Sequence, residues 1–556
     1  PTVEEGIDGK DEVVLEAPAG EYFEPGQYYF FVTLPHNFSD SYFTVKFETF
    51  TEEGTYERKR ALEIKRADFI AFSSALDGSV VYEKKTGNIP VEDASFKAYL
   101  VENFDGNGDG EISYEEAESV DKIDLDYQRE AIKTLNGIEY FENLDTLKYV
   151  TSRQLFQSFY VGEGETIDDV INQMIDAGQA DYNNDPRGLV DKLYLNNNRK
   201  LRYLLLQGHP CLQGIDISSN TELTYLYCSG SMKTGSSIDV SNNEKLQTLT
   251  CAGCYLQGAL DLSNCSRLTY VNARGNNFSD IILGSLPELE VIGLSSLYLR
   301  TIVFSGTPNL RTIYIGDSQY LESIDVSGCP ELRRLTCSAP LGTGGDNRTG
   351  YIPYGNLRSL DLSSNSKLEY LDCAACNLEG SLDLSNCPNL TAVRAFYNDI
   401  DELRLDNHPN LKSLYLAGCW HLTELNLSGC PALEWISTYA CEALAPVDYS
   451  PCLSLTTCYA PVAGSNLSMN QALKFIEGGA EFYSQLRFLT GLEEIRAAGF
   501  SELDLTYNVN LRRLTIWNTD EGAVVNLSTL SNLEFLDIAS YANIKELDIS
   551  KNFTIE

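Results

Sequence analysis

The chain has 556 residues and a formal net charge of −39, which allows several domains or one long array of repeats. This acidity argues against a nucleic-acid partner, because phosphate binding requires clustered lysine and arginine, and it disfavours docking on an anionic membrane surface. No apolar run reaches the roughly 18 residues that a membrane-spanning helix needs.

Residues 1–90 are predicted to form an antiparallel β-sandwich-like domain. Apolar and polar residues alternate in VVLEA, YYFFVTL, YFTVKFETF and ALEIK, and turn-forming residues separate these stretches. The run from GEYFEPGQYYFFVTLP to ALEIKRADFIAF resembles the β-sandwich of fimbrillin-like bacterial surface proteins. These strands are too few to complete a sandwich. We therefore expect further strands to be missing from this chain.

Residues 91–130 are predicted to form one calcium-binding unit that resembles an EF-hand. The helical spacing of apolar residues in FKAYLVENF leads into the loop FDGNGDGEISYEEA. Counted from Asp105, loop positions 1, 3, 5, 7, 9 and 12 offer oxygen, and a glycine lies at position 6. We therefore expect Ca²⁺ as the cofactor. The expected ligands are Asp105, Asn107, Asp109, the carbonyl of Glu111, Ser113 and Glu116.

The calcium loop is expected to be a structural clamp and not a sensor. Sensors usually pair two EF-hands and expose a binding groove when calcium binds. Here the helix that leaves the loop is short, with Ser113 as its predicted N-cap. The stretch DYNND at 181–185 imitates a second loop, but Pro186 replaces the glycine and Lys192 replaces the glutamate.

Residues 131–556 are predicted to be a repeat array, interrupted by a helical insertion near 155–190. LDLS begins at Leu260, Leu360 and Leu382, and related tetrapeptides recur every 20–23 residues, except for two steps of 36. Between them lies a second half-motif, as in LEYLDCAACNL. The combined pattern L-x-x-L-x-L/C-x-x-N/C-x-L resembles the leucine-rich repeat from about residue 144 to 556. This resemblance implies a solenoid of short parallel strands with a continuous core.

The 15 cysteines are expected to be structural free thiols. They fall into repeat positions where sister repeats carry leucine or asparagine, and a buried thiol behaves as a small apolar residue. The C-x-x-C pairs Cys251–Cys254 and Cys373–Cys376 therefore need no zinc. The strand position holds Cys228, Cys251, Cys337 and Cys373, with Cys458 where Leu414 lies; the first turn holds Cys254, Cys376, Cys419 and Cys441; the turn after LDLS holds Cys265, Cys329, Cys387, Cys430 and Cys452.

The residues between the strand leucines are the candidate binding residues. They are rich in tyrosine, tryptophan and arginine, the types enriched at binding hot spots. The alternative is that exposed strand positions simply favour tyrosine. An inserted stretch at 339–355 adds two tyrosines close to the arginines. The predicted partner-binding set is Arg311, Tyr314, Arg333, Arg334, Tyr351, Tyr354, Tyr370, Arg394, Tyr415 and Trp435.

The sequence does not indicate an enzyme. It carries four histidines and no G-x-S-x-G, H-E-x-x-H or phosphate-binding glycine loop. We expect a non-enzymatic, monomeric protein whose repeat face binds a protein or a glycan. A structural or spacer protein without a specific ligand is the first alternative, and a carbohydrate-active enzyme is the second.

The order of β-domain, single calcium loop and leucine-rich repeats resembles bacterial cell-surface proteins of gut anaerobes. This resemblance implies an exported protein of the cell surface or periplasm and gives no molecular activity. The chain begins PTVEEG without methionine. A removed N-terminal segment could therefore have carried an export signal or a lipid anchor.

Overall fold

The computed structural model describes residues 43–48, 52–58, 81–125, 132–150, 190, 192–209, 212–231, 235–296, 298–339, 355–539, 542–550, 552 and 555. It contains two compact units, residues 1–246 (unit 1) and residues 247–556 (unit 2). The predicted helical insertion near 155–190, the DYNND stretch, Cys211, Tyr351 and Tyr354 lie outside the described residues. Within the described residues, no helix is long and apolar enough to cross a membrane.

The first described elements of unit 1 form a small antiparallel sheet in the range where a β-domain is predicted. Its strands are β1 (Phe43–Glu48), β2 (Glu52–Arg58) and β3 (Val81–Lys84), which pair in the order β1-β2-β3. Residues 1–42, 49–51 and 59–80 of that predicted domain lie outside the described residues.

Two capped helices flank the predicted calcium loop. Helix α1 (Ala94–Phe104) begins after Asp93, whose carboxylate accepts the backbone N–H groups of Ser95 and Phe96. Helix α2 (Tyr114–Glu118) begins with a capping box between Ser113 and Glu116. Such caps satisfy N–H groups that a helix leaves unpaired in its first turn.

A parallel ladder follows α2 directly. Its strands are β4 (Lys122–Asp124), β5 (Thr146–Val150), β6 (Tyr203–Gln207) and β7 (Tyr225–Tyr227), with a 3₁₀ helix at Ile138–Tyr140. The repeat region therefore begins at Lys122, before the boundary at residue 131 that the sequence indicated. The reason is that Ile123 is already buried in register with Leu147, Leu204 and Leu226.

Unit 2 carries the longer parallel ladder, in which most strands have three residues. In the three-residue strands the middle residue is buried and its two neighbours point to the opposite side of the sheet, as the period of two in a strand requires. Ile313, Leu335 and Leu371, for example, occupy equivalent places on three paired strands and are at most 1 % exposed. The solvent-facing side chains of this ladder are called the outer face below. The ladder strands are β8 (Thr248–Thr250), β10 (Tyr270–Ile282), β11 (Val291–Ser296), β13 (Thr312–Tyr314), β15 (Arg334–Thr336), β16 (Tyr370–Asp372), β18 (Ala392–Arg394), β20 (Ser413–Tyr415), β21 (Trp435–Ser437), β22 (Thr457–Tyr459), β23 (Phe475–Gly478), β24 (Glu494–Ala498), β26 (Arg513–Trp517) and β28 (Phe535–Ile538).

A second set of parallel strands comes from the LDLS half of the repeats. These strands pair among themselves and with the far end of β10, and a 3₁₀ helix at Ala480–Phe488 replaces one of them. They are β9 (Gln257–Asp261), β12 (Thr301–Val303), β14 (Ser323–Asp325), β17 (Glu379–Asp383), β19 (Asp399–Arg404), β25 (Glu502–Asp504), β27 (Ala523–Asn526) and β29 (Ile544–Asp548).

The aspartate and serine of LDLS form one repeated turn. In each case an Asp or Asn Oδ1 accepts the backbone N–H two residues later, as from Asp261 to Ser263 and from Asp383 to Ser385, both at 2.9 Å. Asn426 and Asn526 make the same bond at 3.0 Å in sister repeats. This turn explains why the motif repeats aspartate as well as leucine.

Asparagine and cysteine both occupy the buried turns, where they contact carbonyls of the preceding repeat. Asn365 donates through Nδ2 to the carbonyls of Val326 and Cys329, both at 3.0 Å. The Cys387 thiol occupies the next such turn, 3.7 Å from the carbonyl of Leu362. The cysteines that the structure describes therefore lie where the repeat register predicts, and all of them are buried.

Candidate functional site

The predicted calcium loop is held by hydrogen bonds from its own backbone. The two carboxylate oxygens of Asp105 accept the N–H groups of Gly108 at 2.6 Å and Gly110 at 2.8 Å. Asn107 and Asp109 each accept the N–H two residues later, at 2.8 and 2.9 Å. Gly110 has a φ of +84°, the left-handed conformation that the sharp turn at loop position 6 requires.

Glu116 reaches back across the loop. Its Oε1 accepts the N–H groups of Gly106 and Asn107 at 2.9 and 3.2 Å, and its Oε2 accepts both the N–H and the hydroxyl of Ser113 at 2.8 Å. These donors stabilise the ionised carboxylate, so the bond from the Ser113 backbone, with the others, lowers the pKa of Glu116. Bonds led by the Gly110 N–H lower the pKa of Asp105 in the same way.

The types of oxygen ligand and the loop conformation fit a calcium ion, but the carboxylates do not point toward one common position. Calcium takes oxygen ligands, and each predicted ligand offers one. In the part of the chain that the structure describes, however, no group of three or more His, Cys, Asp or Glu is arranged to hold a metal ion. Calcium binding would require Glu116 to exchange its bonds to Gly106 and Asn107 for the ion.

The loop is tied to the elements on both sides of it. Ile89 donates its N–H to the carbonyl of Ile112 at 2.8 Å, and Tyr114 donates to the carbonyl of Gly87 at 3.1 Å. Lys84, at the end of β3, lies 2.6 Å from Glu118 in α2. On the other side, the buried Tyr99 of α1 accepts the N–H of Asp124 in β4 at 3.1 Å. Residues 84–124 therefore connect β3 to the first ladder strand through direct contacts.

A line of aromatic rings crosses the outer face of unit 2. The rings of Tyr415 and Trp435 stack with centroids 3.8 Å apart. Tyr459 lies 5.2 Å from Trp435, and Phe475 lies 4.7 Å from Tyr459. All four side chains are half-buried, so each keeps part of its surface in solvent. We call these four residues the aromatic line.

Two arginines on strands that precede the aromatic line lie over tyrosine rings. The guanidinium of Arg334 lies 4.6 Å from the ring centroid of Tyr370, and that of Arg394 lies 5.3 Å from Tyr415. Arg394 also pairs with Asp372 at 3.3 Å. Burial raises the pKa of the Asp372 carboxyl, and the nearby positive charge of Arg394 opposes that rise.

Arg311 and Arg333 lie at the edge of the outer face, immediately before the strands. Arg311 faces Glu290 at 3.7 Å, and Arg333 faces Glu369 at 2.6 Å. Lys412–Glu434, Lys474–Glu493 and Arg512–Glu534 continue these pairs in later repeats. The charges of Arg311 and Arg333 are thus matched by glutamates of neighbouring repeats.

The structure brings six of the predicted partner-binding residues onto one surface and leaves the others apart. Arg311 and Arg333 lie at the edge of the outer face, where each pairs with a glutamate. Tyr351 and Tyr354 lie outside the described residues. Sequence analysis missed Arg274, which lies 3.9 Å from the ring of Tyr314, and Phe475 at the end of the aromatic line. The strand motif could have found Phe475, which occupies the outward position before Ile476, whereas Arg274 lies beyond the last apolar position of its motif, Ala273. The six residues brought together are Tyr314, Arg334, Tyr370, Arg394, Tyr415 and Trp435.

The buried thiols are poor candidates for nucleophiles. Burial raises the pKa of Cys329 and Cys430 to about 11 and that of Cys419 to about 12. A reactive cysteine needs the thiolate form and exposure. Burial also lowers the pKa of His408, which contacts the carbonyl of Leu384 at 3.0 Å. Cys329, Cys419 and His408 instead contact backbone carbonyls of neighbouring repeats.

No protein-family model and no curated protein sequence matches the chain. Among solved structures, the functional domain of InlJ from Listeria monocytogenes, described as including a cysteine ladder, is similar with 19% identity and a TM-score of 0.49. That similarity covers 81% of this chain and 76% of the InlJ chain. The chain has the leucine-rich-repeat fold.

Two further structures are similar at lower scores. The internalin InlF from Listeria monocytogenes has 15% identity and a TM-score of 0.26, covering 84% of this chain and 95% of its own. The LRIM1/APL1C complex has 16% identity and a TM-score of 0.37, covering 62% of this chain and 56% of its own. Such likenesses carry no argument about function, and the fold assignment rests on the parallel ladders themselves.

Proposed function

We propose that the protein is an exported, non-enzymatic surface protein whose repeat face binds a protein or a glycan. The observation that carries this proposal is the aromatic line with the arginines beside it. Aromatic and arginine side chains supply a large share of binding energy at interfaces, and four half-exposed rings in contact offer a continuous surface for a partner.

The first test is binding to immobilised extracellular proteins and glycans, with single alanine variants of the outer face. Trp435→Ala removes the central ring of the aromatic line, and we expect it to weaken retention of the partner about tenfold or more. Tyr507→Ala is the matched control, because Tyr507 is 55% exposed in a repeat turn away from the ladder. Equal retention by both variants contradicts the proposed face.

The same panel separates the alternatives. A spacer protein retains nothing specifically, and a carbohydrate-active enzyme converts one of the glycans into products. Export is tested separately by labelling intact cells with an antibody against the repeat region. Labelling only after the cells are lysed would contradict a surface location.

We further propose that Ca²⁺ binds the loop from Asp105 to Glu116 and acts as a structural clamp. The support is the match of loop conformation and donor types, together with the contacts of residues 84–124 to β3 and β4. Calcium would relieve repulsion among the carboxylates and fix the segment that begins the first ladder. Stabilisation by a bound ion grows with its concentration, as mass action requires.

Calorimetry and limited proteolysis with and without calcium test the clamp. We expect calcium to protect the segment around residues 84–124 from proteolysis in the wild type and to have a much smaller effect on Glu116→Gln. Glu115→Gln is the control, since it removes one charge within the loop without removing a predicted ligand. No protection by calcium contradicts the clamp, and calcium-dependent partner binding would make the loop a regulator instead.

A further inference from the structure

A concavity of about 510 Å³ opens on the outer face of unit 2, beyond the aromatic line. We call it the β26 pocket, after the strand at its centre. It lies over four neighbouring strands, β23, β24, β26 and β28, and its volume falls in the usual range for small-ligand sites. Its lining includes Arg496, Arg513, Thr515, Trp517, Phe535 and Asp537.

On one wall of the β26 pocket the charged side chains already pair with each other. Arg496 pairs with Glu494 at 2.9 Å and with Glu477 at 3.4 Å, and its guanidinium lies 5.2 Å from the ring of Phe475. These contacts hold the arginine in place and use its charge within the wall. The wall therefore gives the pocket a fixed polar side.

The opposite wall offers a donor and an acceptor that no neighbour uses. Among the described residues, Arg513 has no carboxylate within ion-pair distance, and Asp537 has no cation and no hydrogen-bond donor. Arg513 lies against Phe535, 5.2 Å from its ring centroid. The register pairs Arg513 with Phe535 and Thr515 with Asp537. From ordinary strand spacings, the backbones at Arg513 and Asp537 are about 8 Å apart.

Aromatic surface completes the pocket. Phe535 is 39% exposed, and Trp517 is half-buried at the end of β26. Ligand sites commonly combine such apolar surface with a few polar groups that fix orientation. A sugar ring suits this combination, because it has an apolar C–H face and hydroxyl groups that both donate and accept hydrogen bonds.

We propose that the β26 pocket binds an uncharged hexose unit of a glycan. The lining charges nearly cancel, with Glu477, Glu494 and Asp537 against Arg496 and Arg513, which favours a neutral ligand over an anionic or cationic one. Trp517 provides the stacking surface, Arg513 donates to ring or hydroxyl oxygens, and Asp537 accepts from hydroxyls. This inference rests on the proposed binding function of the outer face and names a ligand class for one part of it.

Isothermal titration calorimetry of the full chain tests the proposal with defined oligosaccharides. The neutral probes are maltohexaose, cellohexaose and mannohexaose, hexagalacturonate is the acidic probe, and a pool of unstructured synthetic peptides is the protein-like probe. We expect one neutral hexasaccharide to bind and the acidic sugar and the peptides not to bind. Preferred binding of hexagalacturonate or of a peptide at this pocket overturns the proposal, as does the absence of binding by every neutral probe.

Three variants locate the binding. Trp517→Ala and Asp537→Asn should each weaken binding of the neutral probe about tenfold or more, whereas Trp435→Ala should leave it unchanged. Asp537→Asn keeps the size of an exposed side chain, so it remains informative if Trp517→Ala lowers the melting temperature. If no sugar binds but Trp435→Ala still abolishes retention of a partner, the sugar site fails while the proposed function stands.

Discussion

The buried turns and the outer face of unit 2 are built by the same repeats, but their polar groups are satisfied in different ways. At the turns, Asn276 and Asn398 make the same two bonds, one to a carbonyl of the preceding repeat and one to a carbonyl three residues earlier, all at 2.9 Å. On the outer face the partners change from strand to strand: Arg394 meets a carboxylate and rings, whereas Arg513 meets a ring alone.

This difference separates the scaffold from the candidate binding surface. A turn side chain must satisfy backbone groups that are the same in every repeat, so few residue types fit there. A residue of the outer face contacts solvent and neighbours that differ between repeats. Many residue types therefore fit there, and the type can be one that binds a partner. Substitutions at the turns should therefore cost stability, and substitutions on the outer face should cost binding.

The largest expected effect is that of Asn398→Ala. Asn398 donates to the carbonyls of Cys373 and Ala395 and accepts the N–H of Leu378 at 3.0 Å, all in a buried turn. Removing it leaves buried groups unpaired, and we expect a loss of about 2–4 kcal/mol in the free energy of unfolding. Urea denaturation measures the loss, and hydrogen exchange at the Leu378 amide reports it locally.

Asn389→Ala is the matched control for this substitution. Asn389 donates to the carbonyl of Ser366 at 2.9 Å, but in an exposed position where water can replace it. We expect a change within about 0.5 kcal/mol. Similar losses for both variants would contradict the claim that the buried turn bonds stabilise the array.

The second effect concerns close contact between successive repeats. A Cβ on Gly328 would lie 2.2 Å from the carbonyl oxygen of Phe304, so Gly328→Ala must push two repeats apart. We expect a loss of about 1–3 kcal/mol, the usual cost of overpacking, measured by the urea midpoint. Ser364 occupies the same place in the next repeat, after the long step, and Ser364→Ala should change little.

The sequence predicted the scaffold more completely than the outer face. The spacing of leucines placed Leu335 and Leu371 on neighbouring strands across a step of 36 residues, because burial depends only on the repeat register. The pairing of Arg333 with Glu369 across the same step could not be predicted. This ion pair depends on which outward side chains come together when the repeats stack. The spacing of leucines in the sequence does not specify those side-chain contacts.

The residues of the β26 pocket could be predicted only in part from the sequence. In LRRLTIW the leucine pattern already placed Arg513 and Thr515 outward. The outward tryptophan was missed because β26 has five residues whereas most ladder strands have three. The calcium loop is the opposite case, since its ligand types follow a fixed spacing in the sequence. Its occupancy remains a prediction, because spacing does not report where the carboxylates point.

The third effect tests whether asparagine and cysteine are interchangeable at the turns. The Cys387 thiol makes long contacts of 3.6 and 3.7 Å to the carbonyls of Asn365 and Leu362. Asn470 donates to two carbonyls at 2.9 and 2.7 Å in a sister turn. We expect Cys387→Asn to preserve or raise stability and Cys387→Ala to lower it by about 1 kcal/mol. Equal losses of stability in Cys387→Asn and Cys387→Ala would show that the turn fits only a side chain of the volume of cysteine.

Cys387 also allows a direct test of burial. Burial raises the pKa of its thiol to about 11, so at pH 8 it should not react with a thiol reagent until the protein unfolds. Mass spectrometry after labelling under native and denaturing conditions measures the difference. Labelling of Cys387 under native conditions, or a disulfide to another cysteine, would contradict the assignment of cysteine to the scaffold.

The smallest expected effect is a gradual loss of stability in acid, which comes from the repeated Asp-x-Ser turns. Bonds led by the hydroxyl of the following serine lower the pKa of Asp261, Asp325 and Asp383. A carboxyl with a lower pKa in the folded state contributes stability above its unfolded value of about 3.9 and loses it as the pH falls through the folded value. Melting temperatures should therefore decline below about pH 4. Asp383→Asn keeps the acceptor oxygen that Asn426 supplies in a sister turn, so it should reduce this acid dependence while leaving the melting temperature at pH 7 nearly unchanged. An unchanged acid profile in this variant would mean that the turn aspartates act only as hydrogen-bond acceptors and that acid sensitivity arises elsewhere.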